Sequence, residues 1–538
     1  MPAQSRWARA LRLLRPSHAH STYTATILLM SATFLSRIIG LVRVKYIAWQ
    51  FGAGPQTDAY VAAFRLPDLM NYFLVGGAAS ITFVTILNRY RERGEEAEGE
   101  RVLSIVINFI SLVLSAGVIA AMFLAAPYIR ATNPGFAPWQ VELSAHMTRI
   151  LLPGQIFFFV GGVLGATLMV RRQFFVLGLT GIAYNFGIIM AGVLLGRRMG
   201  IPALAVGALA GAFLGPFAMN AVAAARAGVR YRWGIDFSHP GLIDWVKMTL
   251  PLMAGFTLPF LDDYIVGYYA SHGAGDITRL INAKQLFGAP MAMLAQAAGA
   301  ASLPFFARIW AQEKRYEFAT GVADSVSRIV ALGLLAASGM IAMSAPLVQV
   351  IFLGGHFNME DVHRTAIFFA IYTLALSFWA AQAIYSRAFY AAGITWLPML
   401  AGSVIALLAM PIYALGYHWH GAVGLALASD AGIALQAVTL AVLLHQRRMV
   451  SLASLDFVEM GRCLVAGVVS GGVVWVAIWG LGKLPSHFLQ PQGALAIRMT
   501  DLALLAAGSV VWVVIAKWVL EKTGSALPEV AMKRLGLA

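Results

Sequence analysis

Apolar runs about 20 residues long follow one another from near residue 23 to the end of the chain, each broken by a short polar or basic stretch. A helix rises 1.5 Å per residue, so ~20 residues match a hydrocarbon core ~30 Å thick. The runs are apolar on every face, as over 102–126, whereas a membrane strand alternates polar and apolar positions. The pattern predicts an all-α polytopic membrane protein with about 14 transmembrane helices. The first six fall roughly at 23–50, 58–88, 102–128, 147–170, 174–196 and 201–226. The next six fall roughly at 242–271, 279–310, 322–353, 363–390, 396–417 and 421–445, and two more at 461–482 and 497–520.

An even number of spans puts both ends on one side, and that side should carry the Lys- and Arg-rich loops. It would hold Arg89, Arg91, Arg93, Arg171, Arg172, Arg226, Arg230, Arg232, Lys314, Arg315, Arg447 and Arg448, besides Arg6, Arg9, Arg12 and Arg15. The other side would hold Arg130, Arg279, Arg364 and Lys483, with Arg197 and Arg198 as a contrary pair. Both termini are therefore expected in the cytoplasm. No small-residue cleavage site follows the basic start, so a retained N-terminus is expected. Gly77-Ala78-Ala79-Ser80 in the second span recurs as Gly299-Ala300-Ala301-Ser302 in the eighth. That offset of six spans predicts two six-helix lobes, at 21–230 and 231–450, preceded by a basic segment 1–20 and followed by two extra helices and a tail over 451–538. Parallel repeats of this kind place a substrate cavity between the lobes.

Composition changes the picture little. The chain is 59% hydrophobic and 12% charged, with a formal net charge of +15. The basic residues cluster between the apolar runs, so they read as orientation signals and exclude nucleic acid as a partner. Cys463 is the single cysteine, which leaves packing as its role. His418 and His420 have no third ligand nearby, so no metal is expected. Neither a P-loop nor a nucleophile elbow occurs, so neither a cofactor nor an enzymatic reaction is expected.

Charge inside the apolar runs carries more information. Ser36, Arg37, Arg43 and Lys45 interrupt the first span. Arginine at mid-membrane costs roughly 2.5 to 3.5 kcal/mol on insertion scales, so it faces a wet cavity or a partner. Guanidinium groups bind phosphate oxygens in pairs. Arg37 and Arg43 lie six positions apart, which is about 120° around a helix, so bent geometry near Gly40 would be needed to bring them together. Asp58 and Arg65 precede Pro67 in the second span, and Lys284 and Gln285 precede Pro290 in the eighth. Arg65 and Lys284 read as cavity-lining cations, the alternative being ion pairs with Asp58, Asp262 or Asp263. Asp262, Asp263 and Asp430 are candidate coupling-ion ligands.

Ser36-Arg37-Ile38-Ile39-Gly40-Leu41-Val42-Arg43, Phe51-Gly52-Ala53-Gly54, Thr57-Asp58-Ala59 and Phe64-Arg65-Leu66-Pro67-Asp68-Leu69 resemble the opening signature of the MurJ (MviN) lipid II flippases. The likeness extends through Asn133-Pro134-Gly135-Phe136 and Ser302-Leu303-Pro304. It implies a transporter of the multidrug/oligosaccharidyl-lipid/polysaccharide exporter superfamily, with a cationic cavity and a C-terminal groove for a lipid tail. The implied cargo is undecaprenyl-diphosphate-linked peptidoglycan precursor, moved by alternating access without ATP; membrane lipid and cell-wall synthesis proteins are the implied partners. Ser36, Arg37, Arg43, Asp58, Arg65, Asn71, Lys284 and Gln285 are then the candidate substrate-binding residues. The chain departs from the family at Val44 (usually Asp), at Asn71-Tyr72 (usually a basic pair), at Gly76 (commonly Glu) and at Lys284-Gln285 (typically Asp-Arg). Two further readings stay open: a paralogue that flips another polyprenyl-diphosphate-linked saccharide, and a cation-coupled drug antiporter with acidic residues at its centre.

Overall fold

The computed structural model describes residues 22–74, 78–171, 173, 175–234, 236–253, 258–482 and 494–529. The basic segment 1–20, Gly76, Gly77, Arg172 and Lys483 lie outside them. Among the described residues the regular structure is helical, apart from one isolated bridge between Gly354 and Phe357. Among the described residues, nine helices are long and apolar enough to cross a membrane.

Contacts divide the chain into two compact units, one of Met1–Ile47 with Pro55–Gly255 and one of Ala48–Gly54 with Phe256–Ala538. Unit 1 contains most of α1 (Thr22–Phe51), then α2 (Pro55–Leu74), α3 (Ala78–Glu92), α4 (Glu96–Thr132), α5 (Pro138–Leu151) and α6 (Gly154–Val170). It continues with α7 (Phe175–Met199), α8 (Pro202–Ala212), a π-helical segment Phe213–Met219, α9 (Asn220–Arg226) and α10 (Pro240–Met253). Unit 2 contains α11 (Leu258–Ala270), α12 (Asp276–Met291), a second π segment Ala292–Gln296, α13 (Ala297–Ala311), α14 (Arg315–Ala342) and α15 (Ser344–Phe352). It ends with α16 (Met359–Leu374), α17 (Leu376–Ala391), α18 (Trp396–Gln446), α19 (Phe457–Gly482) and α20 (Ala494–Lys522). The polar breaks read from sequence coincide with these helix ends to within a few residues at most junctions. At 396–446 the break is a single residue, Gly421, whose φ of 57° and ψ of −136° interrupt α18.

Lipid offers no hydrophobic drive for helices to associate, so close backbone approach and interhelical hydrogen bonds hold them. Small residues supply the approach. Gly207 and Gly211 of α8 and Gly215 of the π segment that follows repeat every four positions, and a methyl group on them would meet Gly187 O, Tyr184 O and Thr180 O of α7, each at 2.6 Å. Gly211→Ala is therefore expected to destabilise unit 1 by ~1–3 kcal/mol, the usual range for overpacking, read as a lower melting temperature in detergent. In α19, Gly467 and Gly471 repeat the spacing against Ser338 of α14.

Hydrogen bonds supply the rest. Gln140 Nε2, Ser144 Oγ and Thr148 Oγ1 of α5 donate to Pro55 O (3.2 Å), Ala59 O (2.7 Å) and Ala63 O (3.1 Å) of α2. This ladder fixes the rotation of α2, the helix that carries Arg65, Pro67 and Asp68. The core of unit 1 gathers Phe83, Val102, Val106, Phe159 and Trp245. That of unit 2 gathers Phe306, Phe318, Ile384, Phe389 and Leu440, and Cys463 is buried in a smaller apolar cluster.

Candidate functional site

Helical hydrogen bonding in α1 is uninterrupted through Gly40. The angular separation of its two arginines survives: Arg37 is exposed and Arg43 is half-buried. Ser36 lies against α7, where a methyl group on Gly181 would come within 2.7 Å of its Oγ. Arg43 lies close enough to Tyr60 of α2 and Tyr184 of α7 to act on both hydroxyls electrostatically, as does Asp68. Its Nε is buried and has no hydrogen-bond partner among the described residues. A buried cationic donor left this way costs more than a neutral one, so the position favours an anionic or strongly accepting group.

A cavity of about 200 Å³ opens beside it in unit 1, lined by Phe64, Asp68, Asn71, Gln155, Phe158 and Tyr184 among others. Asn71 reaches it from α2, one turn beyond Pro67. Arg65 does not line it. Its guanidinium is buried and donates from Nη1 to Asn133 Oδ1 at 2.8 Å, while the Asn133 amide caps the end of α4 through Ile129 O at 3.3 Å. Two motifs quoted above, around Arg65 and around Asn133, are thus one contact. Asp58 is buried in the first turn of α2, where the unpaired N–H groups of a helix start favour a carboxylate. Sequence reading missed Tyr60, Gln155 and Tyr184; polar residues inside apolar helices were the available signal.

Unit 2 brings together a second set. A cavity of about 180 Å³ is lined by Asp262, Asp263, Lys284, Tyr372, Tyr413 and Asp430, with Ser429 and Trp379. Lys284 both lines this cavity and forms the ion pairs that were its alternative reading, contacting Asp262 Oδ2 and, at 2.7 Å, Asp263 Oδ1. Its ammonium also sits 5.6 Å from the Tyr372 ring centre, within cation–π range. Asp262 Oδ1 accepts from the Tyr413 hydroxyl and from Ser429 Oγ. Gln285, one position on, is exposed and does not line the cavity. Asp430 does line it, nine positions past the break at Gly421, and its Oδ2 is buried without a hydrogen-bond partner among the described residues. Among the described residues no cluster of His, Cys, Asp and Glu could hold a metal ion.

Comparison with known proteins places these sites in context. A sequence model described as "Lipid II flippase MurJ" matches residues 47–487. A curated relative from Vibrio cholerae, described as a probable lipid II flippase MurJ, is 24% identical over 498 residues, covering 90% of this chain and 94% of its own. A solved structure described as lipid II flippase MurJ in an inward closed conformation matches with a TM-score of 0.75 at 21% identity, covering 92% of this chain and 99% of that one. An inward-facing multidrug resistance MATE family transporter matches with a TM-score of 0.64 at 14% identity, covering 79% and 98%. The two structural likenesses show the fold, and the family match runs across most of the 538 residues: this multi-pass membrane protein belongs to the lipid II flippase MurJ family.

Proposed function

We propose that this protein moves lipid II, the polyprenyl-diphosphate-linked peptidoglycan precursor, from the inner to the outer leaflet of the bacterial cytoplasmic membrane by alternating access. The family match over 47–487 carries this reading. The lobes invoked are six-helix bundles at 21–230 and 231–450, with 451–538 adding two helices and both termini cytoplasmic. Arg37 and Arg43 take the diphosphate: their planar donors suit paired phosphate oxygens, and the unpartnered Nε of Arg43 supports the assignment. Ser36 sets the approach of α7, Asn71 offers its amide to the cargo, and Asp58 and Arg65 hold α2 in place. Lys284 and Gln285 form the second group, Lys284 within the buried charge cluster and Gln285 on the exposed face of α12.

A diphosphate entering from the cytoplasmic leaflet offsets the repulsion between the cavity arginines, which favours closure. Each elementary charge carried through the field is worth roughly 2.3 kcal/mol per 100 mV, so one or two uncompensated charges bias the return step. No step needs a cofactor, and cell-wall synthesis proteins are the natural neighbours of such a transporter.

The test is rescue of bacteria depleted of their own flippase, with lipid II measured in both leaflets. Growth and outer-leaflet lipid II are the expected result, and lysis with inner-leaflet accumulation would refute the reading. The departures at Asn71-Tyr72 and Gln285 favour one alternative, a different polyprenyl-diphosphate-linked saccharide. On that alternative, deletion of the gene would leave lipid II unchanged and another lipid-linked sugar would accumulate. The acid-lined cavity of unit 2 suits a cation-coupled antiporter less well, because Lys284 already occupies Asp262 and Asp263.

A further inference from the structure

The cavity of unit 2 holds three carboxylates and one ammonium. The titratable groups that line it are Asp262 and Asp263 from α11, Lys284 from α12, Tyr372 from α16, and Tyr413 and Asp430 from the two halves of α18; α17 contributes only Trp379. Asp262 is fully engaged, with Oδ2 on Lys284 and Oδ1 accepting from Tyr413 and Ser429. Asp263 meets the same ammonium, and its side chain is 60% exposed, so it keeps its hydration. Asp430 is different, because its buried Oδ2 has no hydrogen-bond partner among the described residues. An ionised carboxylate taken out of water costs several kcal/mol unless it is paired. The neutral acid avoids most of that cost.

We propose that Lys284 is the resident cation of this cavity and that Asp430 carries a proton, ammonium and proton exchanging on Asp430 as the helices move. A free alkali cation would have to displace a charge tethered by its own chain at high effective concentration. In the exchange the O–H bond of Asp430 breaks and its proton passes to cavity water. The Lys284 ammonium then leaves Asp262 and donates to the new carboxylate, with no change in oxidation state. Two features ease the transfer. Asp262 keeps the Tyr413 and Ser429 hydroxyls when the ammonium departs. The interruption at Gly421 lets the half of α18 bearing Asp430 move separately from the half bearing Tyr413.

The inference does not depend on which lipid is carried, and its test uses no cargo. Infrared spectra of the full chain in lipid bilayers near neutral pH should show a protonated-carboxyl C=O band that Asp430→Asn removes and Asp263→Asn leaves. Asp501 of α20, also buried with an unpartnered Oδ2, contributes equally to all three proteins and cancels in the difference. A wild-type spectrum unchanged by Asp430→Asn would overturn the proposal. In parallel, wild-type protein should melt at the same temperature in sodium chloride and in choline chloride of equal ionic strength. A sodium-specific rise abolished by Asp262→Asn would mean that a free ion, not Lys284, fills the cavity.

Discussion

Arg43→Ala is expected to abolish rescue of flippase-depleted cells while leaving the amount of membrane-inserted protein unchanged. Arg43 Nε has no partner among the described residues, so truncating the side chain removes no hydrogen bond of that atom within the fold. On the proposed assignment, what is lost is the contact made to the diphosphate. A hydrogen bond to a charged group is worth ~1.5–3 kcal/mol, which is roughly 10- to 150-fold in affinity. Arg43→Lys tests the geometry, because an ammonium keeps the charge and loses the planar fork; it should rescue partially. Arg37→Ala should also fail to rescue, and since Arg37 is exposed its loss should leave thermal stability unaltered. Full activity in both alanine variants would remove the diphosphate assignment from α1.

Arg279→Ala should give the largest loss of stability. Arg279 is buried and holds Asp361 (2.8 Å), Asp276 (3.0 Å) and the carbonyl of Ala274 (3.0 Å). Removing one partner of a buried ion pair costs ~3–5 kcal/mol, because the other charge is left uncompensated. Asp361 also accepts the Asn358 N–H at 3.2 Å at the start of α16, so the damage should extend to that helix. Thermal unfolding in detergent measures the effect. Arg279→Ala combined with Asp361→Asn should recover part of it, since the asparagine keeps a cap acceptor without the stranded charge. If the single and double variants melt together, the buried pair is not the cause.

The contrast between Arg43 and Arg279 shows what a sequence can express. Both interrupt or flank apolar runs, and bilayer thickness together with charge placement read an all-helical membrane chain, with an interruption near Gly421. Insertion cost marked Arg43, because an arginine within an apolar span needs a wet cavity or a partner. Arg279 gave no such signal: it sits at a helix start, read as an ordinary outer-loop charge, and only the fold reveals Asp361 beside it, 82 positions away. Arg65 was ambiguous for a similar reason, since its partner Asn133 is 68 positions distant. Lys284 was legible as a charge that needed a neighbour, and Asp262 and Asp263 were named as the candidates; the hydroxyls of Tyr413 and Ser429 that complete the cluster were not. The glycine spacing along α8 was readable in principle, because small residues every fourth position are a packing signature in membranes.

The two π segments, at Phe213–Met219 and Ala292–Gln296, follow or contain prolines, Pro216 and Pro290. Each such turn accommodates one residue more than an α-helical turn. A membrane helix elsewhere cannot gain or lose a residue without rotating everything beyond it by about 100°. Here the surplus is already absorbed, so deleting one residue would tighten the turn into ordinary helix. These are the places where the length of the chain itself can vary during evolution while the faces on either side keep their partners.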